Sequence, residues 1–95
     1  MKLLTKALEA RFKKIGRQEN EKDPLVIAKF FDPQSGWTWF ATEYIPEEQL
    51  FFGMVHGLEK ELGYFSLTEL ESIKGRFGLG IERDLYFSEK PLSKI

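Results

Sequence analysis

The sequence predicts an α+β domain: a small, mostly antiparallel sheet of about five strands, with an N-terminal helix and a second short helix packed on it. Three observations carry this. Leu4, Leu8, Phe12 and Ile15 recur at spacings of 4, 4 and 3, the apolar stripe of one helix. Residues 25–65 are rich in aromatic and branched side chains and broken by short turn sequences, as in a run of strands. Ser66-Leu67-Thr68-Glu69 is a capping-box sequence that opens a second helix.

The elements follow in order. Thr5 is the expected N-cap of a helix that runs to Ile15 and stops at Gly16. Lys13 and Lys14, with Arg17 just beyond, sit where the helix dipole favours cations. Residues 16–24 read as a polar, mobile loop. Residues 25–31 read as a strand, and Asp32-Pro33-Gln34-Ser35-Gly36 as a turn with Pro and Gly where turns use them. A second strand over 37–44 completes a hairpin, and 45–49 turn the chain again. Residues 50–58 form the third strand, with Gly53 and Gly57 pointing to bulges or close packing. Residues 59–61 make a tight turn before a fourth strand over 62–65. The second helix runs from the capping box to about Lys74, buries Leu67, Leu70 and Ile73, and stops at Gly75. The alternation at 81–87 predicts a last strand, and 88–95 a tail. All of this fits one domain spanning 1–95.

Composition excludes several function classes. With no Cys there is no disulfide framework, iron–sulfur cluster, zinc ribbon or thiol nucleophile. No apolar run approaches the ~20 residues of a membrane span, and the first residues lack a signal-peptide core, so a soluble cytoplasmic protein is expected. The net charge of −1 hides segregation. Residues 1–22 sum to +4, 23–40 to −1, 41–73 to −6 and 74–95 to +2. Charge segregated in this way marks either a steering surface or solvated faces that intermix on folding.

Catalytic and metal motifs are sparse. His56 and Glu43 on neighbouring strands, with Asp84, would suit a metal-assisted hydrolase, but no H-x-x-x-H or D-x-D spacing accompanies them. A lone His of this kind is more often satisfied within a sheet surface. No nucleophile elbow surrounds a serine. Residues 75–80 are glycine-rich but lack the Lys-Ser/Thr of a phosphate loop and follow a helix, which favours a cap. The aromatic residues would suit base stacking, but the sheet segment is acidic and repels phosphate, which argues against nucleic acid. No cofactor is expected.

The best functional signal is Trp37-Thr38-Trp39. Strict alternation sets Trp37, Trp39, Ala41 and Glu43 on one face and Phe40 and Tyr44 on the other. One helix layer covers one face. Either something else covers the second, or it is an aromatic binding surface with Glu43 at its rim.

The strings Trp37-Thr38-Trp39-x-x-Thr42-Glu43, Phe51-Phe52-Gly53-x-Val55-x-Gly57-x-Glu59-x-Glu61-Leu62-Gly63-Tyr64-Phe65-Ser66-Leu67-x-Glu69-Leu70-Glu71 and Ile81-Glu82-Arg83-Asp84-Leu85-Tyr86-Phe87 together resemble a family of roughly 100-residue bacterial, plasmid and phage proteins known as a domain of unknown function. The resemblance runs from Leu3 to Ser93 and is weakest at 16–24. It implies an accessory gene of a mobile element, near antirestriction-type genes, and implies no catalytic residue.

The expected function is therefore a non-catalytic phage or plasmid protein that inhibits a bacterial defence system, of anti-CRISPR or antirestriction type, by occupying a protein surface. The expected contact residues are Trp37, Trp39, Glu43, Glu59 and Glu61. A second reading is a module that sequesters a nucleotide signal in a pocket of Trp37, Trp39, Tyr64, Glu43 and Arg83, with Arg83 pairing a phosphate. The metal-assisted hydrolase is the third.

Overall fold

The computed structural model describes residues 2–75 and 78–95. The order is α1 (Lys6–Ile15), β1 (Leu25–Val26), β2 (Ala28–Phe31), β3 (Thr38–Ile45), β4 (Leu50–His56), β5 (Lys60–Ser66), α2 (Leu67–Ser72), β6 (Glu82–Arg83) and β7 (Lys90–Pro91), closed by a 3-10 turn at Leu92–Lys94. A five-stranded sheet has the spatial order β5-β4-β3-β2-β6, and every pairing in it is antiparallel. β1 and β7 form a separate two-stranded piece. The expected α+β architecture is the observed one.

Both helices start as their sequences dictate. The Thr5 hydroxyl accepts from the Leu8 N–H at 3.1 Å, and the Ser66 hydroxyl from the Glu69 N–H at 3.2 Å. The stripe of α1 buries Phe12 against the sheet, with Leu8 and Ile15 packed at the margin. Leu67 and Leu70 of α2 enter the same cluster, so both helices cover one face. At its centre Phe51 is fully buried, with ring centroids of Phe12, Phe30, Tyr44 and Phe65 at 4.9–5.8 Å. The 32–36 hairpin turn holds as expected: Asp32 accepts from the Gln34 N–H at 2.9 Å and the Ser35 hydroxyl at 2.8 Å.

A bulge changes which residues share a face. Trp39↔Val55 and Ala41↔Gly53 are paired across β3 and β4, and the register then shifts so that Glu43 meets Phe52 and Tyr44 meets Phe51. Thr42 is the extra residue. Strict alternation would have left Glu43 with the tryptophans. Instead it lies on the outer face with Phe40, and Tyr44 joins the helix-covered core. The face expected to carry Trp37, Trp39 and Glu43 together is thus divided by one inserted residue.

Other boundaries also move. The strand expected over 25–31 is split at Ile27, where the chain leaves the β7 pairing and joins β3. The third strand ends at His56 and the fourth begins at Lys60, because the turn closes at 57–59, where the Gly57 N–H donates to the Glu59 carbonyl. α2 ends at Ser72, two residues before the expected Lys74, where Ile73 adopts extended geometry and leaves its side chain exposed. The last strand keeps only Glu82–Arg83, since Asp84 turns the chain by accepting from the Tyr86 N–H at 2.9 Å. Arg76 and Phe77, in the glycine-rich stretch 75–80, lie outside the described residues.

Two segments expected to be loose are tied down. The Gln18 side-chain amide donates to Leu25 and Thr42 carbonyls at 2.8 and 2.7 Å and accepts from the Leu25 N–H at 2.7 Å. It thereby satisfies the carbonyl that the bulge leaves unpaired. The 88–95 segment is a strand and a turn: β7 pairs with β1, Arg11 holds Glu89 through two bonds of 2.7 and 2.8 Å, and Asp23 accepts from the Ser93 N–H at 2.9 Å. Just before it, Phe87 sits 6.4 Å from the Phe40 ring. Phe40 is therefore buried on the outer face. Beyond it, on β4 and β5, that face stays open at Leu62 and Tyr64.

Candidate functional site

The turn between β4 and β5 carries a surface groove. Trp37 precedes β3, its indole 6.1 Å from that of Trp39. It lies against Gly57, where an added Cβ would meet indole carbons at 2.4 Å. Glycine at 57 is therefore what lets the ring rest on the turn. Trp37, Val55, Leu58, Glu59 and Glu61 line a groove of about 500 Å³. Leu58 is 94% exposed at its lip. An apolar side chain and an indole thus stand beside two carboxylates. The carboxylates attract a cationic side chain by charge.

The expected contact residues do not form one site. Trp37, Glu59 and Glu61 meet in this groove. Trp39 is buried behind them in the core. Glu43, only 2% exposed, is on the outer face and paired with the Arg17 guanidinium. Hydrogen bonding to Glu43 is the main cause that raises the Arg17 pKa, with a smaller contribution from the Tyr64 hydroxyl. Tyr64 itself is 58% exposed on that outer face, in edge contact with Phe52. Arg83 lies at the far edge of the sheet on β6, separated from β5 by three strands. Its Nη1 donates to the Lys2 and Leu3 carbonyls, both at 2.9 Å, and pins the N-terminal segment. The pocket expected to combine Trp37, Trp39, Tyr64, Glu43 and Arg83 is therefore distributed over two faces and both edges.

The hydrolase set is similarly dispersed. Glu43 is engaged by Arg17, and Asp84 lies 3.5 Å from the Lys29 ammonium. His56 packs edge-on against Phe40 at 4.9 Å, and burial, helped by Lys60, lowers its pKa. Among the described residues no group of three or more His, Cys, Asp or Glu side chains is placed to hold a metal ion. Nor is any helix among them long and apolar enough to cross a membrane.

Sequence reasoning missed Leu58 and Arg17. Leu58 had a signal: an apolar residue between Gly57 and Glu59 has no core to join once the turn closes there. Arg17 had none, because its partner lies 26 residues away across a bulge.

No curated protein and no solved structure matches the chain. A family match does, and it covers nearly every residue. With residues 3–95 matched, the chain belongs to the family described as proteins of unknown function, DUF2958.

Proposed function

We propose that the chain is a non-catalytic binding protein that covers a basic surface of another protein with the β4–β5 turn. The observation that supports this reading is the groove itself: Trp37 and the exposed Leu58 beside Glu59 and Glu61. A few buried anchors, tryptophan prominent among them, supply most binding energy at protein interfaces. Flanking carboxylates add steering toward Lys- and Arg-rich patches. Nucleic-acid channels are such patches, and the resemblance to mobile-element proteins points to a bacterial defence nuclease or its complex. An acidic domain seated there competes with nucleic acid for the same cations.

The test is transformation of a targeted plasmid into hosts with an active restriction or CRISPR system. Expression of the chain is expected to raise the number of transformants. Leu58→Lys, at a position 94% exposed, is expected to abolish the gain while leaving Tm unchanged, since it removes the apolar anchor and opposes the basic partner. No gain in any such host, or a Leu58→Lys variant as active as the parent, sinks the proposal. A thermal shift with a nucleotide panel separates it from ligand sequestration, since a bound nucleotide would raise Tm by mass action.

A further inference from the structure

The edge of the sheet at β5 is built to be paired. Among the described residues no strand lies outside it. Hydrogen-bond parity shows which groups face outward. The Gly57 N–H donates to the Glu59 carbonyl and the Leu67 N–H to the Gln49 carbonyl, both at 3.0 Å, at the two ends of the β4–β5 ladder. Opposed residues alternate between bonded and non-bonded pairs, so Glu61, Gly63 and Phe65 also turn their amides toward β4. Lys60, Leu62 and Tyr64 turn theirs to the free edge. Their side chains are exposed on the outer face too, Leu62 at 57% and Tyr64 at 58%. Edge strands are usually blunted by a bulge, a proline, brevity or charged side chains. β5 has seven residues, no proline and an unbroken register, and its charges are confined to Lys60 and Glu61 at its start.

We propose that β5 is the seam of a two-fold dimer in which the β5 strands of two copies pair antiparallel, joining their sheets into one. The strand fits a second copy of itself. A two-fold axis at Leu62 sets Leu62 against Leu62 of the second copy and Lys60 against its Tyr64. All these pairs fall in the bonded class, because each residue turns its amides outward. Lys60 then reaches the face of a Tyr ring, a favourable cation–π contact. Glu61 faces Gly63 of the second copy, where even an added Cβ meets nothing within 4 Å. Moving the axis to Gly63 would instead set the Glu61 side chain against the larger Phe65, so the open space at Gly63 favours the Leu62 register. This inference does not rest on the proposed partner of the groove.

Light scattering across a concentration series tests it. The parent mass is expected to double as concentration rises. Leu62→Pro is expected to remain monomeric with an unchanged circular dichroism spectrum, since the N–H it removes faces away from β4. Should that variant not fold, Leu62→Lys gives the same reading by opposing two like charges at the axis. The chain has no cysteine, so Leu62→Cys introduces a single thiol at a spacing that a disulfide spans. Mild oxidation is expected to cross-link it, and to leave Leu58→Cys at the turn uncross-linked. A parent that stays monomeric throughout, or a dimer that survives both Leu62→Pro and Leu62→Lys, overturns the proposal. So does a monomeric parent whose partner capture is lost in Leu62→Pro, which would assign the edge to a foreign strand.

Discussion

Glu43 is a carboxylate 2% exposed on the face that carries Phe40, Phe52 and Tyr64, and it is tolerable there because Arg17 meets it. Removing the arginine leaves the charge in place with its main partner gone. Arg17→Ala is expected to lower the urea midpoint, because the carboxylate then stays buried without that partner. Adding Glu43→Gln to that variant should recover part of the loss in urea unfolding. If the double variant is no more stable than Arg17→Ala alone, the pair is not what holds Glu43. The sequence showed that Glu43 was unusual but gave it the wrong surroundings. Spacing fixes which residues alternate only while the strand is regular, and the regularity fails one residue earlier, at Thr42.

At the level of elements, that bulge decides the faces of β3. With Thr42 present, Tyr44 packs on Phe51 at 4.9 Å and Glu43 turns outward. Deleting Thr42 removes the inserted residue and leaves Glu43 opposite Phe52 and Tyr44 opposite Phe51, so each keeps its face. The deletion is expected to unfold cooperatively at a lower Tm, because the Gln18 side chain loses the Thr42 carbonyl, whereas Thr42→Val is expected to keep that bond and the same register. Thermal melts of both check this, and a deletion variant that no longer unfolds cooperatively would show that the bulge does more than set the faces. Helix and turn starts were legible because capping and turn residues act within three or four positions: Thr5 on Leu8, Ser66 on Glu69, Asp32 on Gln34. The end of α2 and the shortness of β6 were not. Each is set by what lies alongside in space, where a propensity reading has no information.

For the molecule as a whole, the ends of the chain close the fold. α1 is joined to the C-terminal segment by Arg11–Glu89, the loop before β1 by Asp23–Ser93, and the N-terminal segment to β6 by Arg83. The Asp23 carboxylate accepts from both the Ser93 hydroxyl and its N–H, and these bonds, the hydroxyl first, hold its pKa below the ordinary value. A carboxyl depressed on folding contributes stability above its unfolded pKa of about 4, and loses it as pH falls through the folded value. Amide exchange at Ser93 is therefore expected to accelerate as pH drops through that window, beyond the intrinsic pH dependence of exchange. In Asp23→Asn this excess should flatten. An equal excess in both proteins would place the acid sensitivity elsewhere.

By itself the sequence determined the α+β class, the two helix starts, the first hairpin and the aromatic strands. All of these follow from periodicity and from side chains acting on their own neighbourhood. It also marked Trp37, Glu59 and Glu61, three residues that do converge. Only the tertiary structure decided that they converge on a groove beside Leu58, that Trp39 is core behind it, and that Glu43, Tyr64 and Arg83 belong to other places. The reason is geometric. A single inserted residue reverses the faces of the strand beyond it, and a sheet edge is left open or closed by which strand arrives beside it. Neither is a property of any short stretch of chain.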